Sequence, residues 1–170
     1  LDLAHELAAV ADAITLQRFQ SRDLIVETKS DLTPVSDADT AVERDLRSIL
    51  ATQRPDDVVL GEEFGAQSTS HGRRWIIDPI DGTKSFISGN PVWATLIALA
   101  IGDDVVLSVV SAPAMRRRWW ASRGAGAFTR MNDQTHRLNV STITDIAQAT
   151  VIFSPRSQWA NREPAFTQLC

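Results

Sequence analysis

The chain has 170 residues, 44% hydrophobic and 22% charged, with 17 Lys and Arg against 21 Asp and Glu for a formal charge of −4. That balance excludes a disordered polyelectrolyte and gives no support to a general nucleic-acid or anionic-membrane surface. It leaves room for one sizeable core, or for one domain plus part of another.

Leu3, Leu7, Val10 and Ile14 recur at helical spacing with Ala4, Ala8 and Ala11 beside them, which predicts an amphipathic helix over residues 2–20. No Met opens the chain and Leu1 already belongs to this pattern, so preceding residues are expected. Residues 26–34 are polar and carry Pro34, which reads as a mobile loop. A second helix follows, with Ser36 as N-cap, Asp39 three residues on, and an apolar stripe of Val42, Leu46, Ile49 and Leu50 ending before Pro55. Val58-Val59-Leu60 predicts a short buried strand running into Gly61-Glu62-Glu63. Residues 66–72 read as a polar loop.

Trp75-Ile76-Ile77 predicts a strand covered on both faces and stopping at Asp78. Residues 93–100 and 105–110 predict a hairpin around Gly102-Asp103-Asp104. Residues 118–121 form another expected strand, and Asn132-Asp133 a turn. A helical turn near Asp145, a strand over residues 150–153 and a helix starting at Pro164 complete the reading. Helices first and hairpin-linked strands after them imply an α+β layered domain. The one cysteine, Cys170, excludes an internal disulfide framework. With no signal segment and no membrane-length apolar run, a cytoplasmic location is expected.

Acidic residues fall where strands end or helices begin: Asp39, the Glu62-Glu63 pair, and Asp78 with Asp81. Carboxylates at such points offer hard oxygen ligands to Mg²⁺. Pro79 blocks regular hydrogen bonding between Asp78 and Asp81, so both carboxylates and the Ile80 carbonyl could face one ion. Gly82 and Thr83 then open a helix, whose unpaired N–H groups suit a phosphate. Each piece also has a plainer account: Asp39 as a cap, Glu62-Glu63 as a solvated turn, Asp81-Gly82 as an ordinary turn.

Taken together, Gly61-Glu62-Glu63 and Trp75-Ile76-Ile77-Asp78-Pro79-Ile80-Asp81-Gly82-Thr83 strongly resemble the signature of the inositol monophosphatase family. The resemblance extends over the whole chain, including Lys29 and Asp39. Residues 78–84, 91–99 and 109–121 look most like its actinobacterial-type histidinol-phosphatase branch. The resemblance implies an αβαβα layered sandwich, of which residues 1–148 would be the N-terminal metal- and phosphate-binding domain. Residues 149–170 would be the start of an incomplete C-terminal α/β domain. It also implies two or three Mg²⁺ ions, with Glu62, Asp78, the Ile80 carbonyl and Asp81 as metal ligands. Gly82 and Thr83 N–H groups would hold phosphate, and Thr83, oriented by Asp39, would hydrogen-bond the attacking water.

The implied activity is hydrolysis of a small phosphomonoester. L-histidinol phosphate is the first expectation, and inositol 1-phosphate or a catalytically silent fragment the alternatives. The family's Trp-Asp motif, whose aspartate completes the second metal site, is missing: Trp75, Trp93, Trp119, Trp120 and Trp159 are followed by Ile, Ala, Trp, Ala and Ala. The 170-residue chain alone is therefore expected to be poorly active.

Neither nucleic acid nor a membrane is expected as a partner; a homodimer is. Arg116, Arg117 and Arg118 read as a solvated strand end, Lys84 as an exposed helix position, and Trp119 and Trp120 as core or interface packing with side chains on opposite faces. His5, His71 and His136 show no metal-ligand spacing.

Overall fold

The structure, a computed structural model, describes residues 1–66, 72–150 and 152. Two compact units divide the chain, Leu1–Asn139 and Val140–Cys170. The first begins with helix α1, Asp2–Arg18. A two-stranded antiparallel ribbon follows, β1 Val26–Thr28 with β2 Pro34–Ser36. The segment expected to be a loop is thus a hairpin. Its pairing is invisible to a hydrophobic pattern because all of β1 is exposed, and Pro34 is tolerated because the ribbon consists of edges only.

Helix α2, Asp37–Gln53, starts with Ser36 and Asp39 in a reciprocal capping box, as the sequence leads one to expect. Strands β3 (Val58–Gly61), β4 (Gly65–Ala66), β5 (Arg73–Asp81), β6 (Ala94–Ile101), β7 (Asp104–Ala112), β8 (Arg117–Ser122), β9 (Gly126–Met131) and β10 (Gln134–Leu138) form one sheet in the order β10-β9-β8-β7-β6-β5-β3-β4. Every pairing in it is antiparallel except β3 with β5. The short helix α3, Thr83–Ile87, leaves the end of β5.

Both long helices pack on one face of the sheet. Leu7, Ala8 and Ala11 of α1 and Val42, Leu46 and Leu50 of α2 meet Val59, Trp75, Ile77, Ile97, Leu99 and Val109 in one buried cluster. Each buried Leu, Ile or Val there contributes about 1.5–3 kcal/mol. A second cluster, Ala38, Ile80, Phe86 and Trp93, sits beneath α3, with Phe86 and Trp93 edge to face at 5.0 Å.

On the opposite face, Leu60, Ile76, Leu96, Ala98 and Val110 line an apolar groove of about 520 Å³. Ile76 is only half-buried, so the expectation that its strand is covered on both faces does not hold among the described residues. Nor does that strand stop at Asp78. It continues to Asp81 through an irregularity, since Asp78 pairs with Leu96 and Asp81 with Ala94, three steps on one strand against two on the other.

Arg118 is not a solvated strand end. It is 9% exposed, and its guanidinium donates to Asp12 Oδ2 at 2.6 Å. Trp120 lies against His5 and Phe128, while the Arg117 guanidinium covers Trp119 at 4.6 Å.

In the second unit, a 3-10 turn over Ile146–Gln148 is capped by Asp145, which accepts from the Ala147 N–H at 3.0 Å. Half of the strand expected over residues 150–153 lies outside the described residues, and the helix from Pro164 and His71 wholly so. No helix of the described residues is long and apolar enough to cross a membrane.

Candidate active site

Parallel pairing of β3 with β5 sets Gly61 opposite Ile77, so the residues after β3 emerge beside the last turn of β5. The Glu62 N–H donates to the Ile77 carbonyl at 3.1 Å and places Glu62 next to Asp78. In a regular strand, Asp78 and Asp81 would point to opposite faces. The extra residue in the bulge cancels that alternation and brings their charges together. Gly82 ends the strand with φ 89°, and a Cβ there would meet the Val92 carbonyl at 3.1 Å. Both the turn and the close approach therefore require glycine. The first N–H groups of α3 have no acceptor within the helix.

Asp78 is the most perturbed group. Its Oδ1 is buried with no hydrogen-bond partner. Burial, then the charge and hydrogen bond of the Glu62 carboxyl, then the charge of Asp81 push its pKa up to about 8. The Lys29 ammonium, carried between β1 and β2, reaches Glu63 Oε1 at 2.8 Å and Glu62 Oε1 at 3.2 Å. Burial lowers the Lys29 pKa, but Glu63 and Glu62 more than offset it and the net shift is upward. Glu63 is raised, mainly by burial.

Asp39 is 1% exposed. Its Oδ2 accepts from the Ser36 N–H at 2.8 Å and the Ser36 hydroxyl at 2.6 Å, and its Oδ1 faces Thr83 Oγ1 at 3.4 Å. Burial raises its pKa against these hydrogen bonds. Thr83 Oγ1 also lies 3.0 Å from the Ile80 carbonyl. One hydroxyl proton serves two acceptors, and the carbonyl is the nearer.

The structure thus places Glu62 beside Asp78, sets the charge of Asp81 near them, and puts Thr83 within reach of Asp39. Among the described residues, no three His, Cys, Asp or Glu side chains are grouped to hold a metal ion as they stand. Lys29 engages Glu62, and Thr83 engages the Ile80 carbonyl. The donor chemistry nevertheless fits a hard divalent cation: a buried, unpartnered carboxylate oxygen beside further carboxylates is costly until positive charge meets it. Lys84 is exposed, as are His136 and the whole of β10.

Glu43 escaped the sequence reading. It is fully buried and paired with Arg47 at 2.8 Å. Its carboxylate accepts from the Glu63 N–H at 2.7 Å and the Phe64 N–H at 3.1 Å, fixing the turn that carries Glu62 and Glu63. A Cβ on Gly61 would lie 1.9 Å from Glu43 Oε1. The signal was present: Glu43 lies four residues after Asp39 and three before Leu46, on the buried stripe of α2.

The sequence profile of the inositol monophosphatase family matches residues 1–168. A histidinol-phosphatase of Mycobacterium tuberculosis is 54% identical over 161 residues, covering 94% of this chain, which spans only 62% of that relative's length. The extragenic suppressor protein SuhB of Bartonella henselae superposes with a TM-score of 0.74 at 30% identity, over 84% of this chain and 54% of that one. An IMPase/NADP phosphatase complexed with Mg²⁺ and phosphate gives a TM-score of 0.68 at 26% identity, over 75% of this chain and 49% of that one. A profile match over nearly all of the chain, together with the strand-end carboxylates and the glycine-opened helix, shows that the chain belongs to the inositol monophosphatase family.

Proposed function

We propose that the chain supplies the metal- and phosphate-binding part of a Mg²⁺-dependent phosphomonoester hydrolase. The proposed substrate is a small alcohol phosphate, L-histidinol phosphate before inositol 1-phosphate. The observation that carries the reading is the buried Asp78 carboxylate, unpartnered at Oδ1 and flanked by Glu62 and Asp81, at the point where β5 opens into α3. The 54% identity to a histidinol-phosphatase supports the order of substrates.

In this reading Glu62, Asp78, the Ile80 carbonyl and Asp81 are the metal ligands. Bound Mg²⁺ would make hydroxide available near neutral pH and neutralise charge on the leaving alkoxide. The chain's own groups do the positioning. The N–H groups of Gly82 and Thr83 hold the phosphate at the start of α3. Whichever acceptor takes the Thr83 proton, Asp39 or the Ile80 carbonyl, the hydroxyl lone pairs stay free to orient a water. Asp39 itself is fixed by Ser36, so the acceptor does not swing. Lys29 limits carboxylate repulsion around Glu62 and Glu63 with a charge that a bound divalent cation would supplement.

The test is phosphate release by the complete gene product in Mg²⁺, comparing L-histidinol phosphate with inositol 1-phosphate. A higher kcat/KM for histidinol phosphate is expected. The reverse order would reassign the substrate, and no release from any phosphomonoester would refute the activity.

A further inference from the structure

Away from the candidate active site, and sharing no residue with it, a polar cavity of about 320 Å³ opens between α1, the segment joining β7 to β8, and the β9–β10 turn. Four arginines line it: Arg116, Arg117, Arg118 and Arg130. Two of the four are already engaged. Arg118 is paired with Asp12 and bonded to Ser111 Oγ at 3.1 Å. Arg117 lies over Trp119 and donates to Thr129 Oγ1 at 3.5 Å. Arg116 and Arg130 are exposed, and their side chains make no hydrogen bond or ion pair among the described residues.

Two carboxylates line the same cavity, Asp12 and Asp133. Arg118 neutralises Asp12, so Asp133 alone opposes the remaining three cations. The positive field reaches α1: after burial, the charges of Arg118 and Arg130, together with the N-terminal ammonium, hold the His5 pKa below its ordinary value. Arg116 itself sits at φ 52°, a left-handed conformation that glycine or asparagine adopts more readily. The turn nevertheless presents a guanidinium there.

We propose that this cavity is a second anion site, binding the phosphoryl group of a small molecule through Arg116 and Arg130, with Arg117 and the Asn132 amide as further donors. Planar guanidinium forks match phosphate oxygens with two donors at once. The cavity volume suits a small metabolite. A nucleic-acid strand would need a basic track continuing across the surface, whereas this site is bounded by Asp12 and Asp133 in a chain of formal charge −4.

Calorimetric titration of the whole chain in EDTA, which silences metal-dependent phosphate binding, tests the proposal with inorganic phosphate, pyrophosphate and glycerol 3-phosphate as probes. Saturable binding is expected, weakened by added NaCl. The double variant Arg116→Ala/Arg130→Ala should bind about tenfold more weakly for each guanidinium removed. Asp133→Asn should bind more tightly, a gain that damaged folding cannot mimic. Tighter binding of glycerol 3-phosphate than of inorganic phosphate would place an organic phosphate in the cavity, and equal binding would assign recognition to the phosphoryl group alone. No saturable heat with any probe, unchanged binding by the double variant, or selective binding of an RNA homopolymer over pyrophosphate would overturn the assignment.

Discussion

Asp78→Asn should make the metal-free protein more stable, and increasingly so as pH rises. The folded state holds the Asp78 proton up to about pH 8, against an ordinary value of 3.8. Because the folded pKa lies above the unfolded one, the stability linked to this group is fully present below about pH 4 and is lost as pH climbs through 8. The full displacement corresponds to a ceiling of about 6 kcal/mol. Asp78 is only half-buried, and solvent screening reduces the expected gain from the neutral amide to about 2–3 kcal/mol at pH 9. Urea unfolding of both proteins in EDTA at pH 4, 7 and 9 measures it. The difference should be near zero at pH 4 and largest at pH 9. Millimolar Mg²⁺ should then stabilise the parent and leave the variant nearly unchanged. A difference independent of pH, or a variant less stable than the parent at pH 9, would refute the claim that Asp78 is an uncompensated buried charge.

Three further outcomes follow from the geometry. Gly61→Ala pushes a methyl into the buried Glu43 carboxylate and should lose about 2–3 kcal/mol in urea unfolding, since Glu43 cannot move without releasing the Glu63 and Phe64 N–H groups. Thr83→Ala, in a catalytically competent gene product, should lower kcat far more than it raises KM, because in the proposed function the lost contact is to the attacking water; steady-state kinetics with unchanged kcat would remove Thr83 from the reaction. Arg118→Ala strands the Asp12 carboxylate beside Ser111 and should lose about 3 kcal/mol by thermal or chemical unfolding.

The parts of the fold that rest on helical period and capping were legible in the sequence. Helix α2 is an example: Ser36, Asp39 and the stripe through Leu50 mark both its start and its buried face. The hairpin over β6 and β7 was equally plain, because a Gly-Asp-Asp turn joins two apolar runs. The ribbon of β1 and β2 was not, since a pair of strands with little buried surface leaves no hydrophobic signature. Strand β10 hid for the same reason, being exposed throughout.

At the candidate site, the residue types were readable, but the device that arranges them was not. Pro79 signalled a departure from regular pairing, yet only the register of β5 against β6 reveals a bulge inside a continuing strand rather than a turn that ends it. Glu43 was overlooked because a glutamate within a helix is ordinarily a solvated residue. Arg118 was misread because its partner, Asp12, lies 106 residues away in sequence.

The single carboxylate of Asp39 closes the first turn of α2 with one oxygen and faces Thr83 with the other. Folding that turn and aiming the acceptor at Thr83 are therefore one event rather than two. The position of that acceptor is settled when the chain folds, so the proposed reaction would spend no substrate binding energy on ordering it. The same economy removes a degree of freedom: any change at Ser36 or Asp39 that frays the helix start also loosens the acceptor facing Thr83, so thermal stability and the rate of the proposed reaction should fall together at these two positions.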